Sequence, residues 1–424
     1  MVFILFCCHQ NNVNKTDGVT EIDVINNLGK YQMIAVSDFV SELEYIPLET
    51  GGDCLVGENI KDIIVTTQYI FVTGSVGSGS FCYTFRRDGS FMGKIGSVGQ
   101  GPGEYKFITR LSIDENNSSL YLEASRTLLE YSLDGVFRQS INLPTNTGYL
   151  GVECVYPLNN HLFVGHIPND RGKEEYNFIL FNDSGQVIKG FDNYMKFERA
   201  DNWISGYDGA MKPFKVKQNI YLKEFTNDTL YCMNEKNELI PQFVFNLGKY
   251  VFTKDMKENF SSLTSSINDV IIIPDPASGA HPMVGTPNHI FFNVSGGWGS
   301  IPRPTGRKIS IYADGQSVDI ERAIPLGIYD ITNKKTFFLD SDPVSGMLGF
   351  FNDLDGGLSF WPRYYTPDNE LVDVWQAYEM KEYLTDEYFS AHEMKNPQSH
   401  QKLKELLKNL DKEDNPVVVI AKLK

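Results

Sequence analysis

Residues 82–105 read CYTFRRDGSFMGKIGSVGQGPGEY, and the reading of this stretch decides the fold. Two runs rich in aromatic and strand-favouring residues, 81–85 and 91–95, flank Arg87-Asp88-Gly89-Ser90. Asp-Gly supplies the positive φ of a tight hairpin turn, so the two runs pair as antiparallel strands. Immediately upstream, 60–65 and 69–73 are β-branched and aromatic runs separated by a short polar break, which suits a second hairpin. Residues 60–95 therefore read as four consecutive antiparallel strands.

The same pattern recurs along the chain. A second set covers 111–113, 120–122, 128–131 and 136–141, with its turn at Asp134-Gly135. A third covers 152–156, 162–167, 178–181 and 186–189, turning at Ser184-Gly185. A fourth covers 211–216, 220–225, 230–233 and 239–245, turning near Lys236-Asn237, and a later turn at Asn333 leads into 335–339. The turn positions Gly89, Gly135, Gly185, Asn237 and Asn333 differ by 46, 50, 52 and 96, and the last interval is two periods of 48 with an insertion. Four strands per 40–50 residues is the signature of a β-propeller blade. One such sheet cannot bury both its faces alone, and radial packing buries each against its neighbours.

Four blades are clear, at 60–95, 107–142, 151–191 and 210–245. The fifth begins with 270–273 and 289–294, is interrupted by a Gly- and Pro-rich excursion at 295–325, and ends with 326–331 and 335–339. The sixth begins at 347–351 and continues through 359–365. Apolar residues at three- and four-residue spacing then predict helices at 372–384 and 400–410. After Asn415-Pro416, residues 417–423 are a strand expected to pair with 43–48 and so lock the ring. The expected fold is all-β: a six-bladed β-propeller of four-stranded antiparallel blades, closed by N- and C-terminal strands, with two helices near the C terminus. It forms one domain, 41–424, carrying the insertion 295–325 and the helical segment 372–410.

Composition agrees. The chain has 424 residues, 42% hydrophobic and 13% aromatic, with 36 Gly and 19 Pro, which suits many strands and turns. The net charge of −16 repels nucleic-acid backbones and anionic headgroups, so nucleic acid is excluded as a partner class. Cys54, Cys82, Cys154 and Cys232 are scattered singly and read as buried small hydrophobes; a disulfide among them is left open. Residues 1–8 are an apolar run ending in Cys7-Cys8, and 9–40 are a polar tether and lead-in. The run lacks a basic n-region, yet Leu5-Phe6-Cys7-Cys8 resembles a lipoprotein signal remnant cut before a lipidated Cys8. An ordinary apolar N terminus is the alternative. No later segment reaches the ~18 apolar residues of a membrane span.

Several pieces together resemble a family of six-bladed, NHL-like propeller lipoproteins of Bacteroidetes. They are Ile46-Pro47-Leu48, Tyr69-Ile70-Phe71-Val72, the corner Gly99-Gln100-Gly101-Pro102-Gly103-Glu104-Tyr105 and the closing Asn415-Pro416-Val417-Val418-Val419. The similarity covers most of 40–424 and is weakest across 295–325. It implies a six-bladed propeller, export and attachment to the cell envelope, in the periplasm or outer membrane. It implies no reaction and no catalytic residues.

The chemistry that can be sought by motif is missing. The corner lacks the GK[ST] of a P-loop and is followed by a strand pattern, so Gly99, Gly101, Pro102, Gly103, Glu104 and Tyr105 read as an inter-blade turn. There is no GxSxG. His161 and His166 are five apart and point to opposite faces of an extended strand. Asp340-Ser341-Asp342 and Asp353-Leu354-Asp355-Gly356 fall short of a calcium loop and serve turns more simply. No cofactor and no metal is expected. Candidate binding residues are Trp203 and Trp298, in polar Gly-rich loops, together with His281, His289 and Arg303 in or near the fifth-blade excursion. Each has an ordinary packing role as its alternative. The expected function is a non-enzymatic binding or scaffolding propeller that presents a loop-lined face to a glycan, peptide or envelope protein. A glycan lyase or hydrolase working in the channel is the alternative.

Overall fold

The computed structural model describes residues 18–424 apart from 78, 146, 148–150, 160, 199–208, 260–269, 275–280, 297–301, 303, 305–307, 314–315, 322–323 and 393. It is a six-bladed β-propeller. Blade one runs Ile60–Val65, Tyr69–Val76, Gly79–Arg86 and Phe91–Lys94, paired in that order. Blade two is Arg110–Asp114, Ser119–Ala124, Thr127–Ser132 and Phe137–Asn142, and blade three is Glu153–Pro157, Leu162–His166, Tyr176–Asn182 and Val187–Asp192. Blade four is Phe214–Val216, Asn219–Leu222, Thr229–Met233 and Leu239–Asn246. Gly89, Gly135 and Gly185 all adopt positive φ, as does Asn237, so each hairpin turn sits where a left-handed residue permits it.

The blades hold together because their second strands carry apolar residues on both faces. Ile70 and Val72 pack towards blade six, whereas Phe71 between them packs against Leu111, Leu120 and Leu122 of blade two. Tyr121 turns the other way, onto Phe163 of blade three, and Val164 then meets Ile220 and Leu222 of blade four. One core thus lies in each inter-blade gap. The two largest flank blade five, with Phe245, Phe292 and Phe338 on one side and Phe291, Phe350 and Trp361 on the other.

The fifth and sixth blades depart from the expected strands. The inner strand of blade five is the short Val284–Gly285, followed by His289–Asn293, Leu326–Asp330 and Lys335–Leu339. Ile271–Ile272, expected in that inner role, instead pairs with Ser295–Gly296, and the excursion carries its own hairpin, Lys308–Ala313 with Gln316–Glu321. Blade six begins at Tyr364–Tyr365 and continues with Glu370–Trp375, Val417–Leu423 and Val40–Pro47. Residues 347–351 and 359–360 contribute isolated bridges, Ser341 with Leu348, Phe350 with Phe360 and Ala35 with Phe351. Residues 370–375 are strand where helical spacing had been read from 372. A strand buried on both faces shows no alternation, so its apolar run mimics a helix.

Between the second and third strands of blade six lie three helices, Ala377–Tyr383, Asp386–Ser390 and Pro397–Asn409. Asn396 caps the last, accepting from Ser399 N at 3.1 Å with Pro397 in its first turn, and Leu403 is buried in the core between blades five and six. Ring closure is as expected: Val417–Leu423 pairs antiparallel with Val40–Pro47. Asn415 pins this seam, donating to Glu49 O and Cys54 O (2.7 Å each) and accepting from Val56 N at 2.8 Å. Part of the lead-in belongs to the ring. Thr20–Asp23 adds in parallel to the outer strand of blade four, and Tyr31–Gln32 does the same on blade five. Cys54, Cys82, Cys154 and Cys232 are buried free thiols.

Candidate functional site

The inner strands of the six blades surround a central channel that divides into two chambers. Near the starts of the inner strands lies an ionic chamber of about 360 Å³, walled by Lys61, Asp62, Arg110, Met211, Lys212, His281 and Arg363. Near their ends lies an aromatic chamber of about 350 Å³, walled by Tyr156, Phe214, Tyr364, Tyr365, Lys215, Lys217 and Glu115. Lys212, Pro282, Met283 and Arg363 line both and form the waist between them. Blades one and four face each other across a six-membered ring, and the waist is bridged by Asp62 Oδ1 and Lys212 Nζ at 2.6 Å.

The carboxylates around the ionic chamber serve the backbone of the next blade. Asp62 Oδ2 accepts from Leu111 N of blade two at 2.8 Å, and Glu123 Oε2 of blade two accepts from Val155 N of blade three at 2.9 Å. Glu153 of blade three accepts from Ala210 N, just before blade four, at 3.4 Å. An inner strand has no sheet neighbour on its channel side, so its amides need acceptors. These acids provide them, and each in turn holds a basic partner. Arg110 lies 3.5 Å from Glu123, and Arg363 Nε donates to Asp373 Oδ1 at 3.2 Å.

Behind this wall sits a buried cluster. His166 donates from Nδ1 to Glu153 (3.3 Å) and from Nε2 to Glu224 (3.4 Å), and Glu224 also accepts from Asn177 at 2.8 Å. Burial alone would lower the imidazole pKa, but the hydrogen bonds to Glu153 and Glu224 outweigh it and carry it up to about 9. His166 is therefore a fixed cation at neutral pH, not a base. Burial pushes the neighbouring Lys223 ammonium down to about 7, while it donates to Glu224 O at 2.9 Å and to Asn227 O. Burial likewise raises the carboxyl pKa of Glu123 and of Asp373, against the opposing effects of Arg110 and Arg363.

A family model described as "Domain of unknown function (DUF4934)" matches residues 19–422. The chain belongs to this family. Among solved structures, this DUF4934 chain is similar to a Bacteroides fragilis NCTC 9343 protein, itself assigned to export by inference. The match covers 96% of this chain and 99% of that one at 17% identity, with a TM-score of 0.65. A DUF4221 family member from Bacteroides vulgatus is similar over 91% of this chain and 97% of its own, at 11% identity and a TM-score of 0.46. The first likeness shows a shared fold. No curated protein matches the chain.

Of the binding residues singled out from sequence, His281 and His289 are described in the DUF4934 ring, and they lie in different places. His281 lines the ionic chamber, where burial first and the charge of Arg363 second push its pKa down to about 4. His289 lines neither chamber; it heads the second strand of blade five and packs edge-on to Phe39, ring centroids 4.8 Å apart. Trp203, Trp298, Arg303 and Cys8 lie outside the described residues. In the corner, Glu104 folds back to accept from Gly101 N at 2.7 Å, Tyr105 donates to Ile95 O, and Tyr131 of blade two donates to Gly103 O at 2.7 Å. His161 sits in a turn at positive φ, so only His166 of that pair is in a strand. Apart from His281, the channel residues were not singled out from sequence. Their available signal was a charge inside an apolar strand, as at Glu123 in Leu120-Tyr121-Leu122-Glu123-Ala124. Among the described residues there is no group of three or more metal-ligating side chains, and no helix is long and apolar enough to cross a membrane.

Proposed function

We propose that this DUF4934 protein is a non-enzymatic binding propeller of the bacterial cell envelope that holds part of a glycan, peptide or protein partner in its aromatic chamber. The observation that carries this reading is the chamber itself. Its volume of about 350 Å³ falls within the range of small-ligand pockets, and its wall combines Tyr156, Phe214, Tyr364 and Tyr365 with a few polar groups. Aromatic side chains offer an apolar face and a polar tip, which suits amphipathic ligands. The test is a calorimetric and thermal-shift screen of the full chain against neutral and acidic oligosaccharides and short peptides, run beside Tyr364→Ala. The reading expects saturable binding that Tyr364→Ala weakens at least fivefold. Turnover of a ligand, or binding indifferent to Tyr364→Ala, contradicts it.

The second reading, a glycan lyase or hydrolase, is favoured by one observation: titratable groups do converge in the ionic chamber, and His281 there is held neutral. Against it stands the engagement of Asp62, Glu123 and Glu153 with strand amides and basic partners. Loss of turnover in His281→Ala would establish it.

Export and lipid attachment through Cys8 belong to the same proposal, supported by the family resemblance in sequence. Mass spectrometry of the native N terminus should find a diacylglyceryl group on Cys8, and Cys8→Ser should release the protein from membranes.

A further inference from the structure

The charged residues that line the two chambers are unbalanced. The lining carries six cations, Lys61, Arg110, Lys212, Lys215, Lys217 and Arg363, and two acids, Asp62 and Glu115, in a chain whose net charge is −16; Glu123 and Asp373 meet Arg110 and Arg363 from behind the wall. The imbalance has a structural origin. The acids beside the wall are divided between amides and cations: Asp62 accepts from Leu111 N and pairs with Lys212, and Glu123 accepts from Val155 N and lies 3.5 Å from Arg110. Arg363 shows the consequence most clearly. Buried Asp373 takes its Nε–H, and also accepts from Trp361 N (3.0 Å), Val374 N (2.7 Å) and Trp375 Nε1 (3.2 Å). The guanidinium is thereby oriented, and its two terminal nitrogens make no hydrogen bond among the described residues. They stand at the waist beside Lys212, where a planar acid can be held by two parallel N–H bonds.

We propose that the channel takes an acidic saccharide, with its carboxylate or sulfate on Arg363 and Lys212 and its sugar rings against Tyr156 and Tyr364. This rests on the reading of the aromatic chamber as a binding site and names its ligand class. The wall selects a saccharide over an acidic peptide. An extended peptide in a channel pairs with free strand amides, and those of Leu111 and Val155 are already taken by carboxylates. The aromatic chamber offers ring faces in place of such a ladder. Lys215 and Lys217, exposed at the chamber's outer end, attract the ligand without touching the waist.

Calorimetric titration of the full chain with trigalacturonate, a sulfated disaccharide, a matched neutral trisaccharide and a triglutamate peptide tests this. The two acidic saccharides separate uronate from sulfate as the source of charge, and binding of either supports the proposal. Affinity should fall about tenfold or more on raising salt from roughly 50 to 500 mM. Arg363→Gln should reduce it at least tenfold, and Lys215→Gln with Lys217→Gln about threefold. The lysine pair is exposed, so that variant reports on binding even if Arg363→Gln disturbs the fold. Equal binding of the neutral sugar overturns the acidic assignment and leaves the binding reading standing. Equal binding of triglutamate overturns the saccharide assignment. Failure of both acidic saccharides on the folded chain overturns the inference, and silence of the whole glycan and peptide screen overturns the broader reading as well.

Discussion

The two chambers lie along one channel and differ in what the surrounding strands ask of their side chains. At the starts of the strands, acids are committed to the backbone of the neighbouring blade: Asp62 to Leu111 N, Glu123 to Val155 N, Glu153 to Ala210 N. At the ends, Tyr156, Phe214, Tyr364 and Tyr365 carry no such duty. The ionic chamber is therefore mainly a structural device, and the aromatic chamber is the part free to meet a ligand. Charge in a channel is not by itself a sign of catalysis; which charges are already engaged decides.

Breaking the ionic side should produce the largest loss of stability. Glu224→Ala strips protonated His166 of one of its two carboxylates and leaves Asn177 without its acceptor. Removing one member of a buried charged pair costs about 3–5 kcal/mol, measurable by urea unfolding. A smaller pH effect sharpens the same point. His166, up to about 9 in the fold from 6.5, contributes stability that is full below pH 6.5 and lost as the pH rises to 9. Lys223, down to about 7 from 10.5, has the opposite slope, because its burial penalty fades as the pH rises above 7. The two offset each other between pH 7 and 9. In Lys223→Met only the histidine slope remains, and stability should fall by about 3 kcal/mol between pH 6.5 and 9, far more than in the parent chain. Parallel pH curves for the two proteins would contradict the offset.

On the aromatic side Tyr364 is half-buried, so Tyr364→Ala should cost about 1–2 kcal/mol, well below Glu224→Ala, while abolishing most ligand binding. Smallest of all, Lys215→Gln with Lys217→Gln should change stability by no more than about 0.5 kcal/mol, because both side chains are exposed. A ranking in which Tyr364→Ala is the more destabilising change would erase the distinction between the chambers.

What was legible in the sequence follows the same division. Turns that need a left-handed residue announce themselves, so Gly89, Gly135, Gly185 and Asn237 gave the period and hence the ring. The seam was legible too, because residues 417–421 are apolar throughout and demand a strand buried on both faces. The inner strands of blades five and six were not, because Val284–Gly285 and Tyr364–Tyr365 are two residues long and show no periodicity. The strands flanking the helices were obscured for the opposite reason, since Glu370–Trp375 is buried at every position. The channel was hidden because its residues come from distant turns of the repeat: Asp62 and Lys212 are 150 positions apart, and only closure of the ring makes them a pair. Histidines and tryptophans drew attention as scarce residues, whereas the residues that shape the channel are lysines, arginines and acids whose partners no linear motif records.

The central claim is that the channel's acids hold the ring while its cations face a ligand. Its most direct test is a crystal structure of the full chain soaked with trigalacturonate. The prediction is a carboxylate within hydrogen-bond distance of Arg363 and Lys212, sugar rings against Tyr156 and Tyr364, and Asp62 and Glu123 still on Leu111 N and Val155 N. A channel left empty by a saccharide bound elsewhere, or Asp62 and Glu123 swung off their amides to meet it, would contradict the claim.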